Sequence, residues 1–188
     1  MLHLNRKIIL GSKSPRRQEL LKGLNIDFTV EAKNTDESYP PDMGLSEIAA
    51  YLAEKKADAF DLEDEDLVIT ADTVVLIDNR ILEKPTTTHE AHQMLRTLAN
   101  QQHTVITGVC MRDTKKKICF DDSTVVHFAA LSDAEIEYYI HHCKPFDKAG
   151  SYGVQEWIGY VAVYKMEGSF YNVMGLPVHK VYEQLRNW

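Results

Sequence analysis

Three short stretches of this 188-residue chain carry side chains that could do chemistry. The first is Gly11-Ser12-Lys13-Ser14-Pro15-Arg16-Arg17, set between an apolar run and a helical pattern. A helix N-terminus offers unpaired N–H groups and partial positive charge, and so attracts anions. Lys13, Arg16 and Arg17 at such an end oppose the helix dipole, by up to about 1 kcal/mol per charge. A polyphosphate would turn that repulsion into attraction, with arginine supplying forked hydrogen bonds. The alternative is a solvated basic turn whose charges point outward.

The second stretch is Asp72 within Val68-Ile69-Thr70-Ala71-Asp72-Thr73-Val74-Val75-Leu76. A carboxylate in an apolar strand is costly unless it is paired, hydrogen-bonded or bound to metal. Thr70, Asp72 and Thr73 do not make a clean period-two polar face. The pattern therefore favours a metal ligand or a base for water over a half-exposed strand with a wet Asp72. The third stretch is Asp147-Lys148-Ala149-Gly150-Ser151-Tyr152-Gly153-Val154-Gln155. Its small residues let backbone N–H groups approach a ligand, and the Gln155 amide suits a base edge. By itself such a loop is as well read as a turn. Glu37 is either a turn residue or a second metal ligand. Lys56 and Lys84 read as surface lysines, and the eight histidines show no triad or metal spacing.

The elements that must position these residues follow from periodicity and punctuation. Lys7 to Leu10 reads as a buried strand, and Pro15 to Lys22 as a helix with Ser14 at its N-cap and Gly23 at its end. A helix is expected from Ser46, as cap, to Phe60. Strands are expected at Leu67 to Ile77 and Ile81 to Glu83. Thr87 with Glu90 forms a capping box for a helix carrying Ala91, Met94, Leu95 and Leu98 on one stripe. Thr104 to Met111 and Ile118 to Ala129 form a hairpin, and Ser132 with Glu135 opens a helix to His142. A strand near Tyr160 to Met166 and a helix from Pro177, with Val178, Val181, Tyr182 and Leu185 inward, complete the chain. Interleaved helices and hairpins predict an α/β fold with a mixed sheet.

Length and the absence of repeats or linkers predict a single domain, 1–188. Hydrophobic residues make up 44% and charged residues 26%, as in a globular protein. With 28 acidic against 21 basic residues the net charge is −7, which argues against a nucleic-acid partner. Three cysteines without metal spacing read as reduced thiols. No apolar run is long enough for a membrane span and no signal h-region is evident, so a soluble cytoplasmic protein is expected.

Read together, six segments resemble the Maf family of septum-formation-inhibitor-like nucleotide pyrophosphatases. They are Ser12-x-Ser14-Pro15-Arg16-Arg17-x-Glu19-Leu20-Leu21, Ala71-Asp72-Thr73-Val74-Val75, Leu82-Glu83-Lys84-Pro85, His103-x-Val105-x-Thr107-Gly108-Val109, Asp147 to Gln155, and Asn172-Val173-Met174-Gly175-Leu176-Pro177. They run in family order over nearly the whole chain. The resemblance implies an elongated mixed β-sheet flanked by helices, two lobes around a central nucleotide cleft and, in many members, a homodimer. It implies cleavage of a nucleoside triphosphate between the α- and β-phosphates with a divalent cation, Mg²⁺ or Mn²⁺. On matching positions, Ser12, Arg16, Arg17, Lys56 and Lys84 correspond to phosphate ligands. Glu37 and Asp72 correspond to the acidic metal site, with Asp72 as base and Lys84 beside them in catalysis.

The family has a branch acting on thymidine and uridine triphosphates and another acting on 7-methyl-GTP. Arg16, Thr73 and Gln155 are similar to the first. Lys144 and Glu156 depart from the family, which usually has Glu and Gly there, and both border the base-side loop. A noncatalytic nucleotide-binding regulator is the reading from a different class.

Overall fold

The computed structural model describes residues 5–188. Seven strands are hydrogen-bonded in the order β2-β1-β3-β5-β6-β7, with β4 on β3. They are β1 Lys7–Leu10, β2 Phe28–Val30, β3 Asp66–Ile77, β4 Arg80–Leu82, β5 Gln102–Arg112, β6 Lys117–Phe128 and β7 Val163–Glu167. The sheet is mixed: β1 runs parallel to β2 and β3, whereas β4 and β7 pair antiparallel with β3 and β6. The helices are α1 Pro15–Lys22, α2 Ile48–Asp58, α3 Thr88–Leu98, α4 Asp133–Cys143, α5 Trp157–Ala162, α6 Phe170–Met174 and α7 Val178–Arg186.

The chain forms two compact units. The first comprises Met1–Asp72, Thr107–Asp122 and Gly175–Trp188. Here α1 makes the crossover that a parallel β1–β2 pair requires. Ala53 and Ala57 of α2 pack with Ile9, Val68 and Cys110 of the strands and with Phe60. Gly108 of β5 lets that helix come very close, since a Cβ there would lie 2.2 Å from the Ala49 carbonyl carbon.

The second unit comprises Thr73–Ile106 and Ser123–Met174. Its helices α3 and α4 pack together, burying Ala91, Leu95 and Leu98 of one and Ile136, Tyr139 and Ile140 of the other. The Asn172 amide donates to the Val105 carbonyl (3.0 Å) and to Thr124 Oγ1 (2.9 Å), tying α6 to two strands.

Several local expectations change. The stretch expected as a strand over Tyr160 to Met166 begins in α5 and becomes extended only at Val163. A run of aromatic and β-branched residues fits either state, and packing decides. Ser46 does not cap α2, which begins at Ile48 after Glu47. Thr87 Oγ1 caps α3 by accepting the Glu90 N–H. The Glu90 carboxylate mainly takes the N–H and hydroxyl of Thr86, and the Thr87 N–H helps only weakly to keep it charged. At α4 the box of Ser132 and Glu135 is complete. Tyr182 of α7 is more exposed than its stripe predicts, whereas Val178, Val181 and Leu185 are buried.

Candidate active site

In the first unit the turn after β1 is drawn against β3. Gly11 N–H donates to the Ile69 carbonyl (2.8 Å), and a Cβ on Gly11 would meet Thr70 Cγ2 at 2.6 Å. Ser12 is thereby buried, with its Oγ accepting the Ser14 N–H (3.3 Å). Ser14 is the N-cap residue of α1 but makes no side-chain cap bond, and the first turn has no acidic residue. Arg16 and Arg17 occupy that turn, both partly buried.

The Arg17 guanidinium does not point outward into solvent. Its Nε donates to the Gly175 carbonyl and its Nη1 to the Ala71 carbonyl, each at 2.8 Å, and Ser12 Oγ lies 3.4 Å from Nη1. Desolvation lowers its pKa, and the charge of Arg16 adds to this, while Asp72 and Glu37 oppose it. The guanidinium therefore braces the peptide next to Asp72 while lying in the field of both acidic residues.

Asp72 is not the lone carboxylate that strand pattern suggests. Lys56, in the last turn of α2, places Nζ 2.5 Å from Asp72 Oδ1 and 2.8 Å from Glu37 Oε1. Lys55 beside it bonds Asp36 Oδ2 and the Ser38 carbonyl, both at 3.0 Å. Consecutive lysines thus hold consecutive acids and deliver Glu37 to the end of α2. Hydrogen bonds from the Ser38 hydroxyl, Lys55 and the Ser38 N–H pull the Asp36 carboxyl down to about 2. A helix C-terminus also favours cations in its last turn.

In the second unit Thr73 follows Asp72 on β3, and Lys84 lies exposed after β4. Gly150 N–H donates to the Glu83 carbonyl (3.1 Å) at a φ of 66°, with Val75 so near that a Cβ would meet it at 3.1 Å. Gln155 Oε1 is buried and has no hydrogen-bond partner among the described residues. His103 Nε2 lies 2.7 Å from the Tyr152 hydroxyl, and both rings pack edge-on with Phe128. Burial, aided by the charge of His127, lowers His103 to about 4 and keeps it neutral.

The family described as Maf-like protein matches residues 7–188. The chain belongs to the Maf family. A Porphyromonas gingivalis W83 relative named dTTP/UTP pyrophosphatase is 51% identical, covering 97% of this chain and 94% of its own. One from Parabacteroides distasonis with the same name is 49% identical over 97% and 96%. The solved structure of the Staphylococcus aureus Ham1 protein is similar at a TM-score of 0.47 and 14% identity, over 66% of this chain and 72% of that one.

In this Maf-family chain the sequence-derived set falls into two groups. Ser12, Arg17, Glu37, Lys56 and Asp72 come together in the first unit through the bonds and charges above, with Arg16 on the same helical turn. Thr73, Lys84 and Gln155 belong to the second unit. Among the described residues no cluster of three or more His, Cys, Asp or Glu could hold a metal. The donor set is two carboxylates. That fits Mg²⁺, which keeps several waters and is held by one or two carboxylates plus substrate phosphates. From sequence, Lys148 has no role of its own within its loop and Tyr139 none within its helix, because neither position carries a local signal of the bonds each makes to Glu156. No helix among the described residues is long and apolar enough to cross a membrane.

Proposed function

We propose that this chain hydrolyses dTTP and UTP to the monophosphate and pyrophosphate with the help of a divalent cation. The observation that carries the reading is Lys56 bridging Glu37 and Asp72 beside the Ser12–Arg17 turn. Two carboxylates and several cations within one unit make a site poised for a metal–triphosphate. The shared name of relatives at about half identity supports the substrate class.

Glu37 and Asp72 would hold Mg²⁺ or Mn²⁺, which supplies charge neutralisation across the phosphate oxygens. Asp72 orients the attacking water and takes its proton. Ser12, Arg16 and Arg17 hold the phosphates. Lys56 moves from its carboxylates to a phosphate oxygen, and Lys84 supplies a further cation. Thr73 and Gln155 read the base. Gln155 Oε1 is a buried acceptor awaiting a donor, and the N3–H of thymine or uracil is one that cytosine lacks. A site built on such bonds rejects analogues that leave its polar groups unpaired. A cytoplasmic location is part of the same proposal, in keeping with the free thiols of Cys110, Cys119 and Cys143.

The test is pyrophosphate release from dTTP, UTP, dCTP, CTP and 7-methyl-GTP with added Mg²⁺ or Mn²⁺. The dTTP and UTP reactions should have the highest kcat/KM and should stop with EDTA. A higher value for CTP or 7-methyl-GTP would overturn the base assignment. Tight binding without pyrophosphate release would make the protein a noncatalytic nucleotide binder.

A further inference from the structure

The segment carrying Gln155 is gripped from two sides. On one side Gly159 of α5 lies so close that a Cβ would sit 1.8 Å from the Val154 carbonyl oxygen. On the other, the Gly153 N–H donates to the Tyr139 hydroxyl oxygen (3.0 Å), and the Glu156 N–H donates to the Gly153 carbonyl (3.0 Å). Val154 and Gln155 are the middle of that turn.

Glu156 ties the second grip together. Its Oε2 accepts a hydrogen bond from the Tyr139 hydroxyl and its Oε1 lies 3.1 Å from Lys148 Nζ. A Cβ on Gly153 would lie 2.9 Å from Glu156 Cδ and 3.1 Å from Lys148 Cε, so carboxylate and lysine stem rest on a bare α-carbon. Tyr139 is wholly buried in α4 and Lys148 is 7% exposed. Burial and the adjacent carboxylate push the Tyr139 phenol far up, so it remains a donor. The Gln155 Oε1 has no partner of its own among the described residues. The placement of that amide therefore comes from the backbone turn. Recognition requires such a group to be held within about 0.5 Å.

We propose that Glu156, bonded to Tyr139 and Lys148, is a positioning residue that clamps the Gly153–Gln155 turn and so aims the Gln155 amide at the base. This rests on the base-reading role given to Gln155 above. Glu156 touches no substrate and acts through the turn. Removing its carboxylate strips an acceptor from a buried phenol, where water can replace little of it, and one of two counter-charges from a nearly buried lysine that keeps Asp147 Oδ1 at 2.7 Å.

The test compares Glu156→Ala, Glu156→Gln, Tyr139→Phe and the Glu156→Ala/Tyr139→Phe pair in pyrophosphate release from UTP and CTP. Glu156→Ala and Tyr139→Phe should each raise KM for UTP about tenfold with kcat little changed, the signature of lost uniform binding. The UTP-over-CTP preference should fall by the same factor. The double variant should be no worse than Glu156→Ala, because both act through one network. Glu156→Gln, which still accepts from Tyr139, should keep most of the preference. A lower melting temperature with an unchanged UTP:CTP ratio, or equal losses on both substrates, would overturn the proposal. If the wild type releases pyrophosphate from no triphosphate, the function fails separately, and exchange of the hydrogen-bonded Gly153 and Glu156 amides decides the clamp. Exchange about tenfold faster in Glu156→Ala upholds the clamp, as local opening predicts, and unchanged exchange rejects it.

Discussion

Replacing Gly108 by alanine should damage both stability and activity, for one geometric reason. A Cβ at this position would lie 2.2 Å from Ala49 C, 2.2 Å from Ala50 N and 2.3 Å from Ala49 O. These are backbone atoms of α2, which cannot rotate aside as a side-chain tip can. Restoring a carbon contact of about 3.5 Å requires helix and strand to part by roughly 1.3 Å. Overpacking of this kind costs about 3 kcal/mol, the upper part of the usual range. For a protein of this size that corresponds to a melting temperature lower by roughly 6–12 °C. Because α2 carries Lys56, a shift of this size also pulls Nζ away from Asp72 and Glu37. A misplacement near 1 Å can cost about 100-fold in turnover. Thermal unfolding and pyrophosphate release from UTP measure the two effects. Gly44→Ala is the control, since a Cβ there meets only the movable Glu47 carboxylate, at 2.8 Å. If Gly108→Ala melted within 2 °C of the wild type, a threshold of roughly 0.5–1 kcal/mol, and kept its kcat/KM, the close approach of α2 and its role in placing Lys56 would both be refuted.

Three further outcomes follow from the same geometry. Asp72→Asn should lower kcat for UTP by about 10²–10⁴-fold, the usual worth of a general base, while the fold survives because Lys56 retains Glu37 at 2.8 Å. Pyrophosphate release above a tenth of the wild-type rate would remove Asp72 from that role. Arg17→Ala should lower the urea midpoint as well as activity, because two carbonyls lose a charged donor worth about 1.5–3 kcal/mol each. An unchanged midpoint would return Arg17 to a purely outward role. His103 stays neutral in the fold down to about pH 4, whereas a free imidazole protonates near 6.5. The unfolded chain therefore binds the extra proton first, and stability is lost as pH falls from about 6.5 to about 4, by about 3 kcal/mol. His103→Gln should flatten that part of the melting temperature–pH curve, and parallel curves for the two proteins would rule the assignment out.

Much of the first unit's framework is legible in the residues alone. The β1–turn–α1 segment follows from an apolar run, Pro15 at the first helical position and Gly23 at the end. The β5–β6 hairpin follows from two β-branched runs around a polar turn. These are short-range signals, in which propensity and turn chemistry act within a few residues. The same locality limits them. The Tyr160–Val163 stretch fits helix or strand equally, and what decides is Gly159 letting α5 pack on the Val154 carbonyl.

The sequence by itself determined which chemistry was available: Ser12, Arg16, Arg17, Glu37, Lys56, Asp72, Thr73, Lys84 and Gln155 in motifs of the Maf pattern. Their electrostatic partners were decided only by the tertiary structure. Asp72 reads as an isolated charge because Lys56 stands 16 residues away, and only α2 packed on the sheet brings the two within 2.5 Å. The bracing role of Arg17 is invisible in the sequence because the Gly175 carbonyl it holds lies 158 residues on. Glu156 reads as a departure from the motif until Tyr139 and Lys148 arrive around it. Local pattern reports what a residue is. The cost of a buried charge or donor is set by groups that only chain folding brings within a few ångströms.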